Sequence, residues 1–190
     1  MFLHTLPYLA VQRTMIAMSK PTLYLMLGYP GAGKTTAAKV IAELTGAVHL
    51  WADHERRERY GQPTYHHAEN IDLYSVLNEE TAQLLNQGQS VVFDTGFNFY
   101  RDREHLRRIA ENSGAQTQLV WVTTRRQLAK ERATSRAHLQ PTRLLGNFTD
   151  NDFERISDNL EPPHQDETYV QLDGTKITHE YVAQQLNLGP

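Results

Sequence analysis

Gly28, Gly33, Lys34 and Thr35 occupy the fixed positions of G-x-x-x-x-G-K-[ST] within the run Leu27 to Thr36, which reads LGYPGAGKTT. Residue types at this spacing carry one chemistry, the holding of a chain of phosphates. Glycine reaches backbone angles closed to other residues, so the peptide groups along Gly28, Tyr29, Pro30, Gly31, Ala32 and Gly33 can wrap around β- and γ-phosphate oxygens. Lys34 adds a mobile positive charge and the Thr35 hydroxyl suits Mg²⁺. Thr36 continues the first turn of a helix whose positive dipole end faces the anion. The run implies a nucleoside triphosphate, ATP being the expected donor, with Mg²⁺ as its counter-ion.

A triphosphate site becomes a transferase only if a second group activates an acceptor. Asp53, in WADHERRER, follows a strand-like run and can orient and deprotonate an acceptor hydroxyl beside the γ-phosphate. Arg56 lies one helical turn on and can contact the transferred group or an anionic substrate. The plainer reading makes Asp53 a helix N-cap and Arg56 a solvent-facing charge. Asp94 closes the run VVFD, the hydrophobic strand followed by an acid that supplies a second magnesium contact; it can equally bind the acceptor or cap a turn. Arg101 and Arg103 follow and are candidates to face the substrate. Arg132 and Arg136 are four residues apart, so on a helix both guanidinium groups can converge on one polyphosphate.

These residues need a scaffold that brings strand ends together. Thr22–Leu27 (TLYLML), Ala47–Trp51, Ser90–Asp94, Gln118–Thr123 and Thr168–Leu172 read as strands. Helical patterns fill the gaps at Thr36–Leu44, Ile71–Gln87, Tyr100–Glu111, Gln127–Ala137 and Lys176–Leu186. Alternation of this kind predicts a parallel sheet covered on both faces, with the site beyond the carboxyl ends of the strands. Gln140–Gln165, with its prolines and mixed polarity, reads as the longest irregular stretch and as a mobile lid. Trp51 and Trp121 fall in strand runs and read as packing residues.

The chain has 190 residues, enough for one domain with a full core and a small lid. A formal charge of −3 argues against a general nucleic-acid or membrane binder. No cysteine is present, which excludes disulfides and thiol chemistry and fits a cytoplasmic location. Residues 1–19 are apolar but broken by His4, Pro7, Gln12 and Arg13, too interrupted for a membrane span. They read as a disordered or non-native extension, with Met15 or Met18 as alternative starts, ahead of a domain over 20–190.

The P-loop GYPGAGKTT, the D-x-x-R of Asp53 and Arg56, the stretch FDTGFN-x-x-R and the R-x-x-x-R of Arg132 and Arg136 together resemble the small P-loop kinases of AAA-type ATP binding. The branch is that of the polynucleotide 5′-hydroxyl kinase domain and the zeta-toxin kinases, and the resemblance spans about Thr22 to Leu186. It implies a three-layer α/β sandwich of the P-loop NTPase class with five parallel strands in the order 2-3-1-4-5 and a small lid over about 132–165. It also implies Mg·ATP as donor, Asp53 as acceptor-activating base, Arg56 near the phosphoryl group and Arg132 with Arg136 as lid arginines. Gly174, in Asp173–Gly174–Thr175, matches the loop near the adenine ring.

The leading expectation is an ATP-dependent kinase acting on a hydroxyl of a small molecule, a nucleotide or nucleic-acid end being one acceptor to test. A polynucleotide 5′-kinase or zeta-toxin-like kinase is the second reading, although the chain lacks a strongly basic groove. The third is a regulatory ATPase without an acceptor. The chain has no N-K-x-D guanine-reading run, and it is short for an assembly ATPase. The acceptor and any protein partner are not legible in the residues.

Overall fold

The structure is a computed structural model that describes residues 20–61, 66–134 and 148–188. Five strands, β1 (Thr22–Leu27), β2 (Val48–Trp51), β3 (Val91–Asp94), β4 (Gln116–Thr123) and β5 (Tyr169–Asp173), form one sheet in the order β2-β3-β1-β4-β5. Every pairing is parallel, and the expected fold class and strand order are borne out. The register sets Leu27 opposite Trp121, Trp51 opposite Asp94 and Thr123 opposite Asp173. The residues after each strand therefore emerge along one rim.

Helices α1 (Lys34–Thr45), α2 (Ala52–Tyr60), α3 (His67–Asn86), α4 (Tyr100–Asn112), α5 (Arg126–Thr134), α6 (Asp150–Asp158) and α7 (His179–Gln185) complete the fold. The central strand β1 is buried along its whole length, which is why TLYLML carries no charge. Its side chains alternate between two cores. Leu23, Leu25 and Leu27 join Leu50, Phe93 and Leu119 and pack against Leu73, Leu77 and Leu85 of α3 and Leu106 of α4. Tyr24 and Met26 join Val92, Val120, Val122 and Leu172 and pack against Ala37, Ala38 and Ile41 of α1 and Val182 of α7. No helix among the described residues is long and apolar enough to cross a membrane.

Most predicted boundaries agree to within a few residues. α7 begins at His179, later than the expected Lys176, because the Thr178 side chain accepts from the Tyr181 N–H and fixes the start. The larger correction concerns the expected irregular stretch Gln140–Gln165; residues 135–147, and with them much of the expected lid, lie outside the described residues. Its residues 150–158 form α6, started by a capping box in which Thr149 accepts from the Asp152 N–H and the Asp152 carboxylate accepts from the Thr149 N–H. Phe153 of α6 is fully buried against Ala129 and Ala133 of α5. Arg126 bridges to Glu154 and Asp158, and Lys130 to Asp150 and Glu154, so charges repeating every fourth residue on α6 meet the basic residues of α5. Residues 1–19, and with them the expected extension, lie outside the described residues.

Candidate active site

The loop between β1 and α1 is shaped by close packing. Gly31 has φ 76°, and a Cβ there would stand 2.2 Å from the Ala129 carbonyl oxygen of α5. On the other side, the backbone of Gly174, just beyond β5, lies so near the loop that a Cβ would meet the Ala32 carbonyl oxygen at 1.9 Å. The Thr124 hydroxyl donates to the same Ala32 oxygen at 2.9 Å. Arg132 of α5 reaches over and donates from Nη1 to the Gly174 carbonyl oxygen at 3.2 Å. Both Arg132 and Gly174, predicted as nucleotide contacts, thus stand beside the P-loop. Gly174→Ala is expected to push the loop backbone away and weaken ADP binding by about tenfold or more, about 1.4 kcal/mol. Calorimetry checks this, with melting temperature reporting any general loss of fold.

Lys34 opens α1, and its ammonium donates to the carbonyl oxygens of Gly28 (2.9 Å) and Tyr29 (3.0 Å). Burial pushes its pKa down, and the charges of Asp94 and Asp53 oppose that shift. Thr35 and Thr36 follow in the first turn. Burial pushes the Asp53 carboxyl up, Asp94 adds to the rise, and Lys34 and Arg56 work against it. The two acids predicted from separate strand ends therefore share one electrostatic environment with the P-loop lysine.

Asp53 is not an N-cap. The cap position of α2 belongs to Trp51, which makes no side-chain cap bond, and Asp53 sits inside the first turn. Asp94 is 3 % exposed at the end of β3, and its Oδ2 lies 3.0 Å from Nε2 of His49 on the adjacent strand. Thr35 and Asp94 offer hard oxygen donors on neighbouring elements, a set that fits Mg²⁺, which takes one or two protein oxygens together with phosphate oxygens and water. If bound, the cation would be held by these two residues and would neutralise charge on the phosphates.

The arginines divide. Arg56 is buried and points into α3, donating to Glu69 Oε1 at 2.5 Å and to Asn70 Oδ1 at 2.7 Å. The solvent-facing alternative does not hold. One turn along α3, the Tyr74 hydroxyl and Thr95 Oγ1 are 2.8 Å apart, so Glu69, Asn70, Tyr74 and Thr95 add polar groups near Asp53 and Arg56. Arg101 is exposed, with its guanidinium 5.2 Å from the Phe99 ring and its Nε 3.6 Å from Asp102 Oδ1. Arg136 lies outside the described residues.

Arg103 is a correction. It is fully buried and clasps Glu167 in two hydrogen bonds of 2.7 and 2.6 Å. Its remaining N–H groups go to the carbonyl oxygens of Phe97, Glu161 and Pro162. A guanidinium satisfied in this way by the protein has no donor left for a substrate. It ties α4 to the chain after α6. Burial raises the Glu167 carboxyl, but hydrogen bonds from Arg103 and the His164 N–H, with the charges of Arg103 and Arg107, outweigh it and hold the pKa below the ordinary range. The stabilisation is fully present above the unfolded carboxyl pKa and is lost as pH falls through the lower folded one. Arg103→Ala is expected to cost about 3–5 kcal/mol by removing the bidentate partner of buried Glu167, which keeps only Arg107 and the His164 N–H beside it. Urea unfolding checks this, and the penalty should shrink in acid, where Glu167 is protonated in either state.

His49, Glu69, Asn70 and Tyr74 are absent from the sequence-derived site. His49 had a usable signal, since strand alternation sets it on the face shared by Trp51 and, across the register, Asp94. The α3 residues had none, because which turn of a long amphipathic helix meets Arg56 is a tertiary matter.

Residues 23–163 match the AAA domain family. No curated protein matches the chain. Among solved structures, Chaetomium thermophilum Kti12 in complex with ADP-AlF3 superposes with a TM-score of 0.70 at 16 % identity, covering 87 % of this chain and 95 % of that one. A gluconokinase from Sinorhizobium meliloti 1021 gives 0.61 at 19 % identity, with coverages of 88 % and 91 %. Mycobacterium tuberculosis APS kinase CysC in complex with AMPPNP and APS gives 0.61 at 15 % identity, with coverages of 89 % and 97 %. Such likeness speaks for the fold, and the matched residues contain the P-loop, Asp53, Asp94 and Arg132. The chain belongs to the AAA domain family, and its fold is that of the small P-loop kinases.

Proposed function

We propose that the protein is a cytoplasmic ATP-dependent kinase that transfers the γ-phosphoryl group to a hydroxyl of a small molecule. The observation that carries this reading is the shared electrostatic environment of Lys34, Asp53 and Asp94 at one rim of the sheet. Burial and the neighbouring Asp94 raise the Asp53 carboxyl above its ordinary value, the direction that suits a general base beside the γ-phosphate.

In the reaction the acceptor oxygen attacks the γ-phosphorus, its proton passes to the Asp53 carboxylate, and the bond to the β,γ-bridging oxygen breaks to release ADP. The P-loop N–H groups and Lys34 hold the phosphates, while Arg132, beside Gly174, adds positive charge at the same loop. Mg²⁺ held by Thr35 and Asp94 would offset charge on the β- and γ-oxygens. Arg56, Asn70, Tyr74 and Thr95 line the acceptor side, with Arg101 at its rim.

The test is a screen of hydroxyl compounds and 5′-hydroxyl oligonucleotides with labelled ATP and Mg²⁺. Transfer of label to a small acceptor is the expected outcome, and transfer to oligonucleotide ends would move the protein to the polynucleotide-kinase reading. ATP hydrolysis indifferent to every acceptor would overturn the kinase assignment in favour of a regulatory ATPase.

A further inference from the structure

The His49 imidazole is held on two sides. Its Nε2 meets the Asp94 carboxylate at 3.0 Å, and its ring lies within 5° of parallel to the Trp51 indole at a centroid distance of 6.1 Å. Trp51 is itself fixed. The His54 ring stacks on it at 5.7 Å, and the Lys39 ammonium of α1 stands 5.1 Å from its centroid. The imidazole is 18 % exposed and the carboxylate 3 %. An Asp side chain has several staggered rotamers about its first torsion and turns broadly about its second, so the backbone alone leaves the direction of the carboxylate oxygens open. A donor on the neighbouring strand, locked by an aromatic stack, makes that selection and partners a carboxylate oxygen that would otherwise lose its hydration on burial.

We propose that His49 is a positioning residue: it donates from Nε2 to Asp94 Oδ2 and fixes the carboxylate in the orientation in which it serves the magnesium side of the triphosphate site. The inference rests on the reading of Asp94 as the carboxylate that works with Thr35, and it extends that reading to a residue outside the P-loop pattern. Groups that orient a metal-side carboxylate cost 10–100-fold in metal affinity or activity when removed. A histidine packed only for shape would show no dependence on its donor.

Two variants separate donor from shape. His49→Phe keeps a flat ring against Trp51 and removes the N–H. His49→Gln places an amide N–H near the position of Nε2. ADP binding is measured by calorimetry over a series of MgCl₂ concentrations, an experiment that needs no acceptor. The Mg²⁺ concentration for half-maximal enhancement of ADP affinity is expected to rise about tenfold or more in His49→Phe, with ADP affinity in the absence of Mg²⁺ unchanged. His49→Gln is expected to recover most of the loss, and both variants should melt near the wild type. Unchanged Mg²⁺ dependence in His49→Phe overturns the inference and leaves the kinase reading intact. An equal loss in both variants, accompanied by a lowered melting temperature, also overturns it and makes His49 a packing residue. Indifference of the wild type to Mg²⁺ refutes the reading of Asp94, and this inference with it.

Discussion

Lys34→Ala is expected to fold normally and to lose turnover by about 10³-fold or more, the scale on which removal of one preorganised transition-state donor is felt. The ammonium lies against the carbonyl oxygens of Gly28 and Tyr29, inside the P-loop. Burial depresses its pKa, so the folded protein gains little stability from carrying the charge there, and its removal should not lower the melting temperature. In the proposed reaction, what disappears is the positive charge that follows the γ-phosphoryl group toward the acceptor. Asp53 should feel the change as well. Lys34 is the first of the two charges that hold its pKa down, so in Lys34→Ala that pKa should rise further. Wild-type turnover in this variant, measured with an acceptor from the screen, would refute the P-loop assignment.

Asp53→Asn should lower phosphoryl transfer by roughly 10²- to 10⁴-fold, the range typical of losing a general base. Asparagine keeps the volume and hydrogen-bonding reach of the side chain but cannot take the proton. Nucleotide affinity should barely change, since in the proposed site the triphosphate is held by the P-loop, Lys34 and Arg132. In the wild type, kcat/KM should fall as pH drops through the Asp53 pKa, which burial and Asp94 place above the ordinary carboxylate range. Asp53→Asn should abolish that acid limb. Trp51 holds the cap position of α2, so a capping role cannot account for a loss. Near-normal turnover in Asp53→Asn, with the limb intact, would shift the assignment to a nucleotide-binding switch.

The fold was legible because its signals are local. A charge-free central strand, the fixed spacing of the P-loop and the regular exchange of strand for helix leave few topologies, and parallel strands then bring Asp53 and Asp94 to the rim that holds Lys34. The arginines were harder. Arg103 and Arg101 read alike in the chain, two residues apart in one polar stretch, yet Arg103 turns inward and Arg101 outward. The choice depends on Glu167, 64 positions away, and no local pattern encodes that meeting. α6 was missed for a smaller reason. Its capping box closes with Asp152, one methylene shorter than the Glu or Gln that marks the usual pattern, and its apolar face is narrow, resting on Phe153.

The phosphate loop and the α5–α6 pair touch at its apex. Tyr29 and Phe153 stand 6.2 Å apart, the Arg126 guanidinium lies within 6 Å of both rings, and Gly31 fits beneath the backbone of Ala129. A contact between two parts that each have their own equilibrium acts in both directions. Whatever free energy nucleotide contributes to holding α5 and α6 in place, α5 and α6 must return to nucleotide binding by the same factor. Slowed amide hydrogen exchange in α6 on adding ADP, and weakened ADP binding on trimming Phe153, would then be two measurements of one quantity. The α5–α6 pair would in that case be a component of the affinity for ATP.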